Sequence, residues 1–253
     1  MLTRAARKER IVTRSTAAGT ALELNLDLLR TVAFRPAPDA VLLDPLRPME
    51  TPSEEFGTLR TSLAHLKAER GIRSMLVTSS SPGEGKSFTA ANLALAEAQL
   101  ADNPTLLCDF DLRRPSLHRI FQIDRSPGIS NYLLGQAELP QLIQRIGASS
   151  LFVMTAGEPV INPLGLLHLV ETRRLLEILS SRFRSVILDS PSLLAASDAS
   201  LLATLVDGTL LVARLGATKA EAMGQAIQRL GQNNILGIIA NGGRRGEFAS
   251  GRA

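Results

Sequence analysis

The chain has 253 residues, 45% of them hydrophobic, enough for one large core or two small ones. Its formal charge of +4 comes from its ends: Arg4, Arg7, Lys8, Arg10 and Arg14 stand against Glu9 at one, and Arg244, Arg245 and Arg252 against Glu247 at the other. The near-neutral middle argues against a basic nucleic-acid stripe, and the single cysteine, Cys108, excludes an internal disulfide and fits a reducing cytosol.

Residues 1 to about 50 read as a poorly ordered lead-in, Pro-rich through FRPAPDAVLLDPLRPMETP. Within it, ALELNLDLLRTV fits a short helix or a strand equally well. From Ser53, a potential cap, SEEFGTLRTSLAHLKAE reads as a helix with Phe56, Leu59, Leu63 and Leu66 on one face. Apolar and helical runs then alternate. Strands are expected at Ser74–Ser79, Thr105–Asp109, Leu151–Thr155, Ser185–Asp189, Thr209–Ala213 and Ile235–Asn241. Helices are expected at Lys86–Leu100, Pro163–Phe183, Ala199–Leu205 and Lys219–Leu230, with shorter ones at Ile129–Leu134 and Leu139–Ile146. Short links between strand and helix, and strands without polar alternation, predict an α/β fold: a doubly wound, mostly parallel sheet covered on both faces. The expected organisation is a flexible segment 1–50, a nucleotide-binding domain 51–243 and a short disordered tail 244–253. No apolar core follows the basic start, so no signal peptide is expected. The longest apolar neighbourhood, Val186–Leu215, is broken by Asp189, Asp198 and Asp207, so no membrane span is expected and the chain is placed in the cytoplasm.

The stretch Ser80 to Ser87 reads SSPGEGKS and fits the phosphate loop G-x-x-x-x-G-K-[ST], with Ser80 at the first Gly. Gly83 and Gly85 let backbone N–H groups turn around a phosphate chain. Lys86 can reach the terminal phosphates, Ser87 can join a Mg²⁺ shell, and the helix that follows offers its positive end to an anion. Pro82 and Glu84 within the stretch and Phe88 just after it are expected to contact the nucleotide as well. The loop lies where a phosphate site requires it, after SMLVTS and before FTAANLALAEAQL.

Two more strand-like runs end in acid: TLLCDFDLRRP, with Asp109, Asp111 and Arg113, and SVILDSP, with Asp189. Ligands of an open α/β sheet sit at the carboxyl ends of its strands, so these carboxylates fall on the edge that carries the phosphate loop. Rigidly held acids there suit a Mg²⁺-bound nucleotide. Asp198, in AASDAS before a helix, reads as a cap or turn residue, and Cys108, among apolar neighbours, as a packed residue rather than a nucleophile.

Together VTSSSPGEGKS, LLCDFDLRRPSLH, GISNYLLG, NPLGLL and VILDSP resemble the bacterial tyrosine kinases of capsule and exopolysaccharide assembly, which belong to the MinD/ParA-like branch of P-loop proteins. The resemblance runs from about Glu54 to Asn241. It implies ATP and Mg²⁺ as cofactors, with Ser87, Asp111 and Asp189 organising the metal. Asp109 and Asp111 would divide metal-shell work and activation of the incoming hydroxyl, and Asn241 matches the position that contacts adenine. Partition and septum-site ATPases carry a signature Lys where this chain has Ser81, which argues against that branch.

Three features depart from the family pattern. The kinases end in a tyrosine cluster, whereas Tyr132 is the only tyrosine here and reads as packing. The ring-contact helix E-x-x-R-x-x-R appears as EEFGTLR, keeping Glu54 and Arg60 but with Gly57 in the central position, so a homo-oligomeric ring is expected to be weak. The acid of VILDSP is followed by Ser190-Pro191-Ser192 instead of TPP, a change a turn tolerates. Many relatives are fused to a membrane-spanning chain-length protein. The resemblance therefore implies a separate membrane-embedded co-polymerase that recruits this chain to the inner face of the membrane, docked through the lead-in or the Lys219–Leu230 helix.

Overall fold

A computed structural model describes residues 24–43, 52–231 and 234–243. Eight strands form one sheet: β1 (Arg30–Val32), β2 (Ser74–Ser79), β3 (Thr105–Asp109), β4 (Ile143–Ile146), β5 (Leu151–Met154), β6 (Ser185–Asp189), β7 (Gly208–Arg214) and β8 (Ile235–Asn241). Their spatial order is β1-β4-β5-β3-β6-β2-β7-β8. All neighbours are parallel except β4 and β5, which run antiparallel. The helices are α1 (Ser53–Arg70), α2 (Lys86–Glu97), α3 (Leu117–Ile120), α4 (Ile129–Leu133), α5 (Leu139–Leu142), α6 (Pro163–Leu167), α7 (Val170–Arg182), α8 (Asp198–Ala203) and α9 (Ala220–Leu230).

The central strands are apolar throughout because both of their faces are buried. Leu106, Cys108, Val186 and Leu188 point into one core with Leu175, Leu176 and Leu179 of α7. Their chain neighbours Leu107 and Ile187 point into a second core with Ala90, Ala91, Leu93 and Ala94 of α2. The alanines of α2 let it lie close against β2, β3 and β6, which it contacts along its length. Cys108 is fully buried in the first core, and burial pushes its thiol well above the usual range, as a packed residue requires.

Several local expectations are corrected. Leu139–Ile146 is not one helix. Pro140 starts a single turn, and Ile143 is already extended at φ −100°, ψ 122°. Ile143 and Ile146 then bury on opposite faces of β4, which joins β1 to β5. The expected helix Pro163–Phe183 breaks at Leu169, which is extended. There the Thr172 hydroxyl donates to Leu166 O at 3.0 Å, closing the end of α6 in place of a continuing helix. Ser53 is the first residue of α1, not its cap, which is Pro52.

Residues 24–43, read from composition as loosely ordered, carry structure. A 3₁₀ turn at Leu26–Leu28 is followed by β1, so ALELNLDLLRTV holds both a helical turn and a strand. Leu43 is buried, and its N–H donates to Asn92 Oδ1 of α2 at 2.6 Å, while Asn92 Nδ2 donates to Val41 O at 3.1 Å. Arg4, Arg7, Lys8, Arg10 and Arg14, and Arg244, Arg245 and Arg252 of the tail, lie outside the described residues.

Candidate nucleotide site

The phosphate loop bridges β2 and α2. Gly83 and Gly85 adopt φ of +81° and +98°, the left-handed region where a side chain is strained. Gly85 has a second reason to lack one: a Cβ there would lie 1.9 Å from Asn241 Nδ2. The first bond of α2 runs from Thr89 N–H to Gly85 O at 2.9 Å, leaving the N–H groups of Lys86, Ser87 and Phe88 outside the helical ladder. These groups, with the helix dipole, could cradle an anion. The Phe88 ring itself packs edge-on against Phe56 of α1 at 5.8 Å, so it offers the loop only its backbone.

The unusual Ser80 has a structural partner. Its hydroxyl donates to both oxygens of Glu84, at 2.9 and 3.1 Å, and Ser81 N–H donates to the same carboxylate at 2.9 Å. The Thr218 hydroxyl donates to it from beyond β7 at 2.5 Å. Burial pushes the Glu84 carboxyl up, but these bonds outweigh it and hold Glu84 below its ordinary value. Two more contacts clasp the loop from the end of the sheet. Arg214 Nη1 donates to Gly83 O at 3.1 Å, and Asn241 Nδ2 donates to Glu84 O at 3.0 Å.

The acids meet beside this loop. Asp109 and Asp189 are partners in register across β3 and β6, and both are fully buried. Asp109 accepts N–H groups from Ser116 (2.9 Å), Leu117 (3.0 Å) and Asp111 (3.3 Å). Burial, helped by the charge of Asp111, still raises it to about 7 against the pull of those N–H groups. Neither oxygen of Asp189 has a hydrogen-bond partner. Burial first and the Asp109 charge second push it well above the carboxylate range, against the nearby Ser87 hydroxyl and Lys86 charge.

A cleft of about 210 Å³ is lined by Pro82, Lys86, Asp111, Arg113, Arg114 and Ser192, among others. Asp111 is half-buried there, and one of its oxygens accepts Arg114 N–H at 2.9 Å. The turn after Asp189 is tied to β2, with Ser190 Oγ donating to Val77 O at 3.0 Å and Thr78 Oγ1 to Pro191 O at 2.8 Å. The cleft thus gathers Pro82, Lys86, Asp111 and Arg113, with the buried Asp109 and Asp189 behind it. Asn241 and Glu84 brace the loop from its other side.

Sequence reasoning passed over three participants. Arg214 and Thr218 hold the loop, and their only signal is position, at and just past the carboxyl end of β7 on the same sheet edge. Asp198, read as a cap or turn residue, is instead a fully buried partner of Arg113. Among the described residues no three His, Cys, Asp or Glu side chains converge as a metal cage, and no helix is long and apolar enough to cross a membrane.

No protein-family model matches the sequence. The chain is 36% identical over 197 residues to the tyrosine-protein kinase YwqD of Bacillus subtilis, covering 77% of this chain and 83% of that one. It is 38% identical over 197 residues to the tyrosine-protein kinase Etk of Escherichia coli K12, of which it spans only 27%. The solved kinase domain of Etk superposes with a TM-score of 0.72 at 36% identity, over 78% of this chain and 80% of that one. The septum-site protein MinD of Pyrococcus horikoshii, solved with Mg-ADP, shares the fold at a TM-score of 0.56 and 18% identity, over 66% of this chain and 67% of that one. With four-fifths of YwqD matched at this identity, and a phosphate loop set against acidic strand ends in register, the chain belongs to the bacterial tyrosine-protein kinase family.

Proposed function

We propose that the chain transfers a phosphoryl group from Mg²⁺-ATP to protein tyrosine, and that this regulates polymerisation or export of an extracellular or capsular polysaccharide. The observation that carries the chemistry is the Asp189 carboxylate, buried, without a protein partner, and in register with Asp109 beside the phosphate loop. A buried carboxylate with both oxygens unpaired is costly unless a cation or its water completes it. Mg²⁺ fits this donor set, since it is commonly held by one or two carboxylates, a hydroxyl and substrate phosphates rather than by an all-protein cage.

Ser87 and Asp189 would hold the ion, and Asn241 would sit beside the adenine. Bound Mg²⁺ supplies positive charge to the phosphate oxygens during transfer. Lys86 and the N–H groups that open α2 bind and orient the phosphate chain. Asp111, at the cleft surface with one oxygen engaged, takes the proton of the incoming hydroxyl. Asp109, with both oxygens committed to backbone N–H groups, fixes the loop that carries Asp111. A separate membrane-embedded co-polymerase would bring the chain to the inner face of the membrane.

Two observations favour a second reading, an ATP-hydrolysing switch without self-phosphorylation. Tyr132, the only tyrosine, is half-buried against the first core, and burial raises its hydroxyl above the usual value, with Glu138 adding to the effect. Arg60 also turns inward, donating to Ala96 O at 2.8 Å rather than standing free for a neighbouring subunit.

The site is tested through Lys86→Ala. Mg²⁺-ATP at a hundredfold excess over its dissociation constant should stabilise the wild type by about 2.7 kcal/mol. The variant should show no such shift while melting normally without nucleotide. Equal shifts for both proteins would remove Lys86 from the site.

A further inference from the structure

Arg113 does not swing freely over the cleft. Its Nε donates to Asp198 Oδ2 at 2.7 Å, and its Nη2 to Asp198 Oδ1 at 3.0 Å, a two-pronged pair spanning 85 positions of sequence. The two ends differ in exposure: the Asp198 side chain is fully buried, while that of Arg113 is 45% exposed. Arg113 lines the cleft with Lys86 and Asp111.

A carboxylate is expensive to bury, and a helix start gains as much from an exposed Ser or Asp. What the buried position adds is direction. A guanidinium carries five N–H donors in one plane, and the pair spends two of them on the edge facing Asp198. The planar fork that remains matches phosphate oxygens, and anchoring it beforehand removes the cost of ordering a long side chain during reaction.

We propose that Asp198 is a positioning residue for phosphoryl transfer: it holds Arg113 by one edge of the guanidinium so that the free edge meets charge developing on the phosphoryl group. The role rests on the nucleotide reading above and adds to it a residue that touches neither nucleotide nor metal.

The test compares calorimetric binding of Mg-ADP alone and of Mg-ADP with aluminium fluoride, which mimics the phosphoryl group in transfer. Wild type, Asp198→Asn, Arg113→Ala, Arg113→Lys and the double variant Arg113→Ala with Asp198→Asn are measured. Wild type should bind the aluminium fluoride complex more tightly than Mg-ADP. Asp198→Asn should keep Mg-ADP affinity and lose roughly tenfold or more of the gain, the scale of a charge-assisted bond. Arg113→Ala should lose the same, and the double variant no more, because the two residues act as one unit. Arg113→Lys keeps the charge but not the fork, and should fail likewise while leaving Asp198 a cation, which decides the matter if Asp198→Asn does not fold. Wild-type affinity for the aluminium fluoride complex in Asp198→Asn or in Arg113→Lys would overturn the proposal, as would losses that multiply in the double variant. Wild type that binds no Mg-ADP would overturn the nucleotide reading itself, and this role with it.

Discussion

At the scale of single residues, polar atoms are sorted by whether the protein satisfies them. Asp109 is buried and satisfied by three backbone N–H groups, whereas Asp189 is buried and left open. That contrast, between two acids that look alike in sequence, separates a brace from the proposed metal ligand. His118 offers a second case. Its Nδ1 is buried without a partner, and burial lowers its pKa, with Arg125 and Arg119 adding repulsion. The folded state therefore disfavours the imidazolium. A group depressed in this way gives stability that is complete above its unfolded value near 6.5 and fades as pH falls through the folded value. The raised carboxyls of Asp109 and Asp189 push the other way, adding stability as pH falls, so His118 is read by difference: from pH 7 to pH 5 the wild type should lose stability relative to His118→Gln in thermal melts. An unchanged slope in the variant would show that other groups carry the pH dependence.

At the scale of elements, the phosphate loop is held by strands distant in sequence. Glu84 joins Ser80 and Ser81 to Thr218, and Asn241 closes over Gly85. Gly85→Ala combines a strained φ of +98° with a Cβ placed against Asn241 Nδ2. It should cost at least about 1 kcal/mol, roughly 2–4 °C in Tm for a domain of this size. Nucleotide affinity should fall too, because Asn241 must leave Glu84 O; a variant that melts and binds as wild type would mean that the loop does not need the clasp. The legible part of this architecture was the part written locally. SMLVTS, TLLCD and SVILD are unbroken apolar runs ended by turn or acid residues, and the loop follows a spaced pattern. The two strands at the β1 end of the sheet were not legible. β4 is four residues with Gln and Arg at its centre, placed directly after a proline-started turn, and β1 is three residues. Pairing, not periodicity, makes them strands. The Arg113–Asp198 pair was hidden for a related reason: only the fold brings residues 85 positions apart together.

At the scale of the whole molecule, one edge of the sheet collects the loop after β2, the acids of β3 and β6, the turn after β7 and Asn241 of β8. Six parallel strands place all their carboxyl ends on that edge, so a nucleotide site there follows from topology. Nothing comparable is built around Tyr132, whose ring belongs to the core on one face of the sheet. The tyrosine that accepts phosphate is therefore expected to lie outside the 253 residues of this sequence. The direct measurement is incubation of the purified chain with labelled Mg²⁺-ATP and a glutamate–tyrosine copolymer, followed by phosphoamino-acid analysis and mass spectrometry. Phosphotyrosine is expected on the copolymer, lost in Asp111→Asn, with no phosphate on Tyr132. ATP consumed with no phosphotyrosine formed on any chain would contradict the kinase reading and leave the hydrolytic switch.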